Sequence, residues 1–329
     1  MIITRTPFRV SFFGGGSDLA AFYRRSPGAV LSTTIDRYMY LSAHPYFDQH
    51  SIHIKYATTE LAASIADVRH PIVRAVLKRL PVHAGIEITS TADIPAGTGL
   101  GSSSAFTVGM LNLLYAYDGR RVSADRLAKE ACEVEITDLG EPIGKQDQYA
   151  SAHGGLNFIR FFPDEEVDVA PLPLTSACRV MLESTLLMFY TGDQRSASEL
   201  LSQQSQALLT DADKFAAVQR MVEMAFEART LLETEDVPAF GRLLHELWRI
   251  KRTMTASITN ARIDEMYDRA LEAGAWGGKL LGAGGGGFLL VAAPSEAHAA
   301  IRAALGHLQE LPMRFERGGS KVVYMADDA

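Results

Sequence analysis

The segment of the chain best suited to bind an anion is a loop rich in glycine and serine, PAGTGLGSSSA, which runs from Pro95 to Ala105. Glycine lets backbone N–H groups approach an anion closely, and serine adds hydroxyl groups that can bind phosphate or a metal ion. An apolar run at helical spacing follows at once, and a helix N-terminus adds free N–H groups and about half a positive charge. We call this segment the phosphate loop, because its pattern favours a polyphosphate ligand with a divalent ion.

Two other interpretations of the loop were weighed. A plain connector rarely needs three spaced glycines and three serines directly before a helix. A dinucleotide-binding turn requires G-x-G-x-x-G and an acidic residue that follows the next strand; Gly97-Thr98-Gly99-Leu100-Gly101 has other spacing, and Asp118 closes a helix. The string of a Walker A loop does not occur in the sequence.

The phosphate loop resembles the second motif of the GHMP kinases, a superfamily named after galactokinase, homoserine kinase, mevalonate kinase and phosphomevalonate kinase. Ser104 stands where that family usually has alanine. The first motif of the family resembles PFRVSFFGGGSD (7–18), and the third resembles KLLGAGGGG (279–287). The three motifs occur in family order over nearly the whole chain. The resemblance implies ATP and Mg²⁺ as cofactors. It assigns these residues to ATP: Pro95, Gly97, Gly99, Leu100, Gly101, Ser102, Ser103 and Ser104.

The resemblance also assigns the catalytic and metal-binding side chains. The segment GKQDQYA (144–150) matches a family segment whose aspartate faces the acceptor hydroxyl, which makes Asp147 the candidate base. Arg9 is implied to neighbour that aspartate, where it would keep the carboxylate ionised and offset transition-state charge. Ser103 and Glu135 are implied to hold Mg²⁺. Whether Asp147 accepts the proton or only orients the hydroxyl is left open.

The acceptor is expected to lie between the first and third motifs. By resemblance the substrate residues are Gly15, Gly16, Ser17, Asp18, Lys145, Gly284 and Gly285. Galactokinases have Glu-His where this chain has Gly15-Gly16, which disfavours galactose. A sugar phosphate would require a basic pocket, for which Lys145 ranks first and Arg37 and Arg195 follow.

Within the superfamily, the first motif, the 144–150 segment and GGLNF (154–158) most resemble the D-glycero-D-manno-heptose 7-phosphate kinases. These place a phosphate on the anomeric oxygen during the synthesis of nucleotide-activated heptose for surface polysaccharide. Two alternatives stay open: an anomeric kinase for another sugar such as L-fucose, and a non-catalytic sugar-binding regulator. The presence of Arg9, Glu135 and Asp147 argues against the regulator.

Composition sets the remaining expectations. The net charge of −7 disfavours nucleic acid as a general partner. The sequence has no run of about 18 apolar residues, so a membrane span is not expected. The first residues do not look like a signal peptide. Cys132 and Cys178 are far apart and read as buried thiols, so a cytoplasmic location is expected. The assembly state is left open, with a homodimer as one option.

The 329 residues suggest two domains. Strand and helix patterns alternate in both halves, so the class is α/β or α+β. The resemblance narrows this to α+β, with an N-terminal α/β domain, a ferredoxin-like C-terminal domain and an active site in the cleft between them. The acidic, proline-bearing stretch 163–173 is the expected junction, which gives domains 1–170 and 171–329.

Overall fold

The computed structural model describes residues 1–80, 82, 84–192 and 197–326. The described strands belong to two sheets. They are β1 (Ile2–Phe13), β2 (Gly28–Pro45), β3 (Ile52–Lys55), β4 (Thr59–Ala62), β5 (Ile86–Ala92), β6 (Leu156–Phe161), β7 (Val167–Pro171), β8 (Leu186–Tyr190), β9 (Gly277–Leu280), β10 (Phe288–Ala292), β11 (Gln309–Glu310), β12 (Phe315–Glu316) and β13 (Lys321–Met325).

Most of the described helices are capped by side chains, such as Ser123, which accepts from the Arg126 N–H. They are α1 (Ala20–Tyr23), α2 (Pro71–Arg79), α3 (Ser102–Tyr117), α4 (Ala124–Cys132), α5 (Gln146–His153), α6 (Ser176–Thr185), α7 (Ala197–Thr210), α8 (Ala212–Glu233), α9 (Val237–Lys251), α10 (Ala261–Glu272) and α11 (His298–Ala304). None of the helices in the described ranges has the length and apolarity that a membrane crossing requires.

The larger sheet is built on β1 and β2, which pair antiparallel along most of their length. Its main strand order is β13-β1-β2-β5-β3-β4, with β6 and β12 also paired to β2. The sequence predicts two strands around Asp36-Arg37, whereas the structure has one continuous strand, β2, which pairs with β6 in its first part and with β5 in its last part. The helix α3 packs against β1 and β2 and is apolar on all sides. A helix of this kind must be buried, and it fixes the phosphate loop at its N-terminus.

The smaller sheet has the order β11-β8-β10-β9, with every pair antiparallel. If β8 to β11 are numbered 1 to 4 in chain order, this sheet has the 4-1-3-2 order of a ferredoxin-like fold. The third motif forms the connection between β9 and β10. The predicted fold class, α+β with a ferredoxin-like second domain, is confirmed.

The last strands of the chain cross the division expected at residue 170, which stays a prediction. The final strands β12 and β13 return to the larger sheet, where they pair with β2 and β1. Phe240 of α9 stacks edge-on against Phe12 and Phe13 of β1, at centroid distances of 5.4 and 5.2 Å. The two lobes, one built on each sheet, are therefore joined by an apolar contact and by the end of the chain, which returns from the smaller sheet to the larger one. Cys132 and Cys178 are both buried and free, as expected.

Candidate active site

A cleft of about 920 Å³ lies where the two lobes meet, and we call it the central cleft. The first motif begins within β1 and continues past its end. The phosphate loop joins β5 to α3, and the third motif joins β9 to β10. All three motifs contribute to its wall. Predicted site residues on this wall are Arg9, Gly15, Gly16, Asp18, Pro95, Gly97, Gly99, Gly101, Ser102, Ser103, Ser104, Glu135, Asp147 and Gly284.

The phosphate loop turns through left-handed backbone conformations that favour glycine. Gly97, Gly99 and Gly101 have φ angles of 75°, 83° and 74°. Gly101 is the N-cap of α3, and no side chain caps the helix there. The first N–H groups of a helix have no partner within the helix. They face the cleft here together with three serines, so the loop can bind phosphate oxygens through its backbone.

Gly99 also sets the distance between the phosphate loop and the third motif. A Cβ added to Gly99 would lie 2.5 Å from the carbonyl oxygen of Leu281. We expect Gly99→Ala to lower the free energy of unfolding by about 2 kcal/mol, since it adds a steric clash to left-handed strain. Denaturant unfolding, with kcat/KM measured alongside, checks this.

Gly119→Ala is the matched control for that substitution. Gly119 has a similar φ of 69°, but nothing lies within 4 Å of its added Cβ. It should lose only the cost of left-handed backbone, about 1 kcal/mol. Equal losses in the two variants would show that the contact with Leu281 is unimportant.

Arg9 and Asp147 form a two-point ion pair at the centre of the cleft. Nε of Arg9 donates to Oδ1 of Asp147 and Nη2 donates to Oδ2, each at 2.7 Å. Nη1 of Arg9 donates to the carbonyl oxygen of Gly99 at 2.5 Å. The Arg9 side chain is only 5% exposed. Such a paired guanidinium holds a carboxylate in one orientation.

Asp147 lies beside the phosphate loop as well as beside Arg9. A Cβ added to Gly101 would lie 3.2 Å from Oδ2 of Asp147. The carboxylate is therefore adjacent to the N-terminus of α3, where an anion would bind. The pairing implied by the resemblance, between residues 138 positions apart, is present in the structure.

Glu135 lies on a π-helical turn, Glu133–Asp138, that continues α4. Turns of this kind often mark functional positions because they rotate side chains out of helical register. Ser103 donates to Oε1 of Glu135 at 2.7 Å, and Nε2 of Gln148 donates to Oε2 at 2.7 Å. Burial raises the pKa of Glu135, and these hydrogen bonds oppose the rise.

The oxygen atoms of Ser103 and Glu135 suit Mg²⁺. Within the described ranges there is no group of three or more histidine, cysteine or acidic side chains arranged to hold a metal ion. Mg²⁺ does not require one, because it is usually bound by one or two protein ligands, by substrate phosphates and by water. The pair fits that requirement at the wall of the cleft.

Asp18 is buried near Asp147 and supports the first motif. Its Oδ1 accepts from the N–H of Gly16 and from Nε2 of Gln146, each at 3.0 Å. Burial raises its pKa, with the charge of Asp147 adding to the effect. Gly144 must be glycine, since an added Cβ would lie 1.8 Å from Oδ2 of Asp18.

Three polar side-chain atoms of residues on the cleft wall are buried without a hydrogen-bond partner among the described residues. They are Oγ of Ser11, Oε1 of Gln146 and Nε2 of Gln204. Buried polar atoms are normally paired, and all three residues line the cleft. A ligand rich in hydroxyl groups would supply the missing partners.

Several wall residues were missed by the sequence reasoning. Gln204 and Lys251 lie on α7 and α9, where amphipathic helices give no signal of a site. The apolar half of the cleft was also missed. It is lined by Met39, Tyr56, Ile72, Ile94 and Phe106.

Four predicted site residues do not line the cleft in the described structure. Ser17 is fully buried, and its hydroxyl donates to the Ala29 carbonyl oxygen. Leu100 is buried and its carbonyl oxygen accepts from the Arg9 N–H. Gly285 donates its N–H to the Ile258 carbonyl oxygen. The positions of these three residues indicate that they support the walls of the cleft from behind.

Lys145 is the fourth, and it points away from the reacting groups. Its ammonium donates to the carboxylate of Glu165 at 2.5 Å and lies 4.5 Å from the centroid of the Tyr23 ring. Arg37 is also off the wall, where it donates to the carbonyl oxygens of Asp36 and Pro312. Neither geometry favours the predicted contact with a sugar phosphate. Arg195 lies outside the described residues.

Comparison with known proteins identifies both halves of the chain. A family profile described as the GHMP kinases N terminal domain matches residues 68–155, and one described as GHMP kinases C terminal matches residues 228–308. Together they cover just over half of the chain.

Among curated proteins, the D-glycero-alpha-D-manno-heptose 7-phosphate kinase of Campylobacter jejuni is 28% identical over 301 residues, 88% of each chain. The bifunctional fucokinase/GDP-fucose pyrophosphorylase of Arabidopsis thaliana is 28% identical over 212 residues, which is 64% of this chain and 20% of that protein. Among solved structures, a D-glycero-D-manno-heptose 1-phosphate kinase from Bacteroides thetaiotaomicron matches with a TM-score of 0.82 and 25% identity, covering 99% of this chain and 100% of that one.

Proposed function

The chain belongs to the GHMP kinase family, and we propose that it transfers the terminal phosphate of ATP to the anomeric hydroxyl of D-glycero-D-manno-heptose 7-phosphate. The similarity to heptose phosphate kinases indicates that it is a sugar kinase. The observation that carries the proposal is the position of Asp147, which is held by Arg9 beside the phosphate loop and faces a wall of unpaired polar atoms.

The nucleotide occupies the side of the cleft formed by the phosphate loop. Its base packs in the apolar half, between residues such as Tyr56 and Phe106, and its phosphates accept from the N–H groups at the start of α3. Ser103 and Glu135 would hold Mg²⁺, which neutralises phosphate charge when it is bound.

The acceptor hydroxyl binds at Asp147. As the bond from this oxygen to phosphorus forms and the bond from phosphorus to ADP breaks, the hydroxyl proton passes to the carboxylate of Asp147. Arg9 fixes that carboxylate and offsets the charge that develops on the transferred group. Lining side chains such as Gln146 and Gln204 orient the sugar. The product would feed the synthesis of nucleotide-activated heptose, a cytoplasmic step that draws on ATP.

A panel assay of ADP release tests the acceptor. We expect kcat/KM for heptose 7-phosphate to exceed that for L-fucose and galactose by about 100-fold or more, since a hydrogen-bonding site rejects ligands that leave its polar groups unpaired. Phosphorus NMR should show the new phosphate on the anomeric oxygen.

L-fucose is the second candidate because of the fucokinase similarity. Turnover of L-fucose without turnover of any heptose 7-phosphate would replace the first proposal with the second. Saturable sugar binding with no ADP release from any acceptor would indicate a regulator.

A further inference from the structure

Lys251 is a buried cation on the wall of the central cleft that no motif includes. It lies at the end of α9, its residue is 6% exposed, and its ammonium donates to the Gly282 carbonyl oxygen at 2.7 Å. An ammonium has three N–H donors, and this is the single hydrogen bond recorded for it among the described residues. Two donors therefore remain for a ligand.

The ammonium of Lys251 points into the space above Gly15. A Cβ built on Gly15 would lie 3.9 Å from three polar atoms, namely Nζ of Lys251, Nε2 of Gln146 and Oγ of Ser11. These atoms surround one point, and a larger residue at position 15 would occupy it. The arrangement forms a small pocket of hydrogen-bonding groups with one positive charge, which we call the Gly15 subsite.

The other cations on the described wall of the cleft are already paired. Arg9 is bound to Asp147 and to the carbonyl oxygen of Gly99. Lys279 donates to the carbonyl oxygens of Ser11 and Phe12, at 2.8 and 2.9 Å. Lys251 thus has two donors left for a ligand, whereas Lys279 has one.

The groups that face Lys251 determine its charge. Burial and, to a lesser extent, the charge of Arg9 lower its pKa to about 8, although the charges of Asp18 and Asp147 oppose this shift. Lys279 also faces it, and repulsion between the two contributes to the lowered pKa of Lys279. A dianionic ligand at the Gly15 subsite would stabilise the ammonium form of Lys251.

We propose that Lys251 binds the phosphate group that the acceptor already carries, and so makes the enzyme select a sugar phosphate over a free sugar. The inference rests on the proposed function and adds the residue that binds the phosphate already present on the acceptor sugar. The nucleotide's phosphates have their own donors in the phosphate loop. Lys251 instead lies beside the first motif, where Oγ of Ser11 and Nε2 of Gln204 are unpaired groups that can donate to a phosphate oxygen.

The test compares Lys251→Met and Lys251→Arg with the unaltered protein, using heptose 7-phosphate and unphosphorylated heptose as acceptors. We expect Lys251→Met to lower kcat/KM for the sugar phosphate about 10- to 100-fold, the value of a charged hydrogen bond, mainly through KM. Turnover of the free sugar should change little, and Lys251→Arg should recover part of the loss. Lys129→Met, at an exposed position of α4, is the control.

The pH dependence gives a second readout. The ammonium is present below a pH of about 8 in the free protein, so KM for the sugar phosphate should rise as pH increases above that value. In Lys251→Arg this rise should vanish, because a guanidinium stays charged. Thermal unfolding of each variant separates these effects from loss of folding.

Equal losses of kcat for both acceptors in Lys251→Met would overturn the inference and assign the lysine to the transferred phosphate. So would an unaltered protein that uses both acceptors equally well. Failure of the unaltered protein to phosphorylate any sugar would instead overturn the proposed function.

Discussion

Asp147→Asn is expected to lower kcat by about 10³-fold, within the usual range for loss of an acid–base group, while the affinity for ATP changes little. An amide cannot take the hydroxyl proton, but it keeps the shape of the carboxylate beside Arg9. Single-turnover kinetics with heptose 7-phosphate, together with a nucleotide-binding titration, check both parts of this expectation.

Asp168→Asn provides a control for the loss of an aspartate that is paired with arginine. Asp168 accepts from Arg160 at 2.7 Å, but both side chains are more than 40% exposed and lie outside the cleft. Exposed pairs contribute little to stability, so this variant should keep full activity. If Asp147→Asn turned over at a normal rate, its carboxylate would be neither base nor orienting group.

Glu135→Gln is expected to give the second largest loss, a decrease in kcat/KM for Mg·ATP of about 10- to 100-fold. The substitution removes the negative charge and replaces one carboxylate oxygen with an amide nitrogen, so only one of the hydrogen bonds from Ser103 and Gln148 keeps its acceptor. Activity measured as a function of Mg²⁺ concentration should show a half-saturation point shifted to higher Mg²⁺.

Glu133→Gln tests whether the effect is specific to the cleft. Glu133 lies two residues away on the same π-helical turn, where it pairs with Arg79 and is 41% exposed. It should behave like the unaltered protein. An unchanged Mg²⁺ dependence in Glu135→Gln would remove this glutamate from the metal site and leave it a structural role beneath Ser103.

Local pattern was sufficient to predict the phosphate loop and most of the elements around it. The loop is a contiguous segment whose glycines, serines and following helix act through backbone conformation and the helix N-terminus, which depend on near neighbours in sequence. Asp147, Arg9 and Glu135 needed the resemblance as well, because a single charged residue on a strand or helix carries no local mark of its role.

The polar wall of the acceptor site depended on tertiary structure. Gln204 and Lys251 lie on helices whose sequences suit an ordinary C-terminal bundle, and only the packing of that bundle against the first motif brings them to Gly16 and Gly15.

The two lysines show the difference most clearly. Lys145 is two residues from Asp147 in sequence, yet Glu165 and Tyr23 hold its ammonium away from the cleft. Lys251 is 104 residues from Asp147 in sequence, yet its ammonium lies on the cleft wall beside Gly15. The sequence alone determined the family, the fold class and the nucleotide loop, since these depend on contiguous motifs. The tertiary structure decided which lysine lies on the cleft wall, because that depends on the charges and carbonyl groups that distant segments bring next to each side chain.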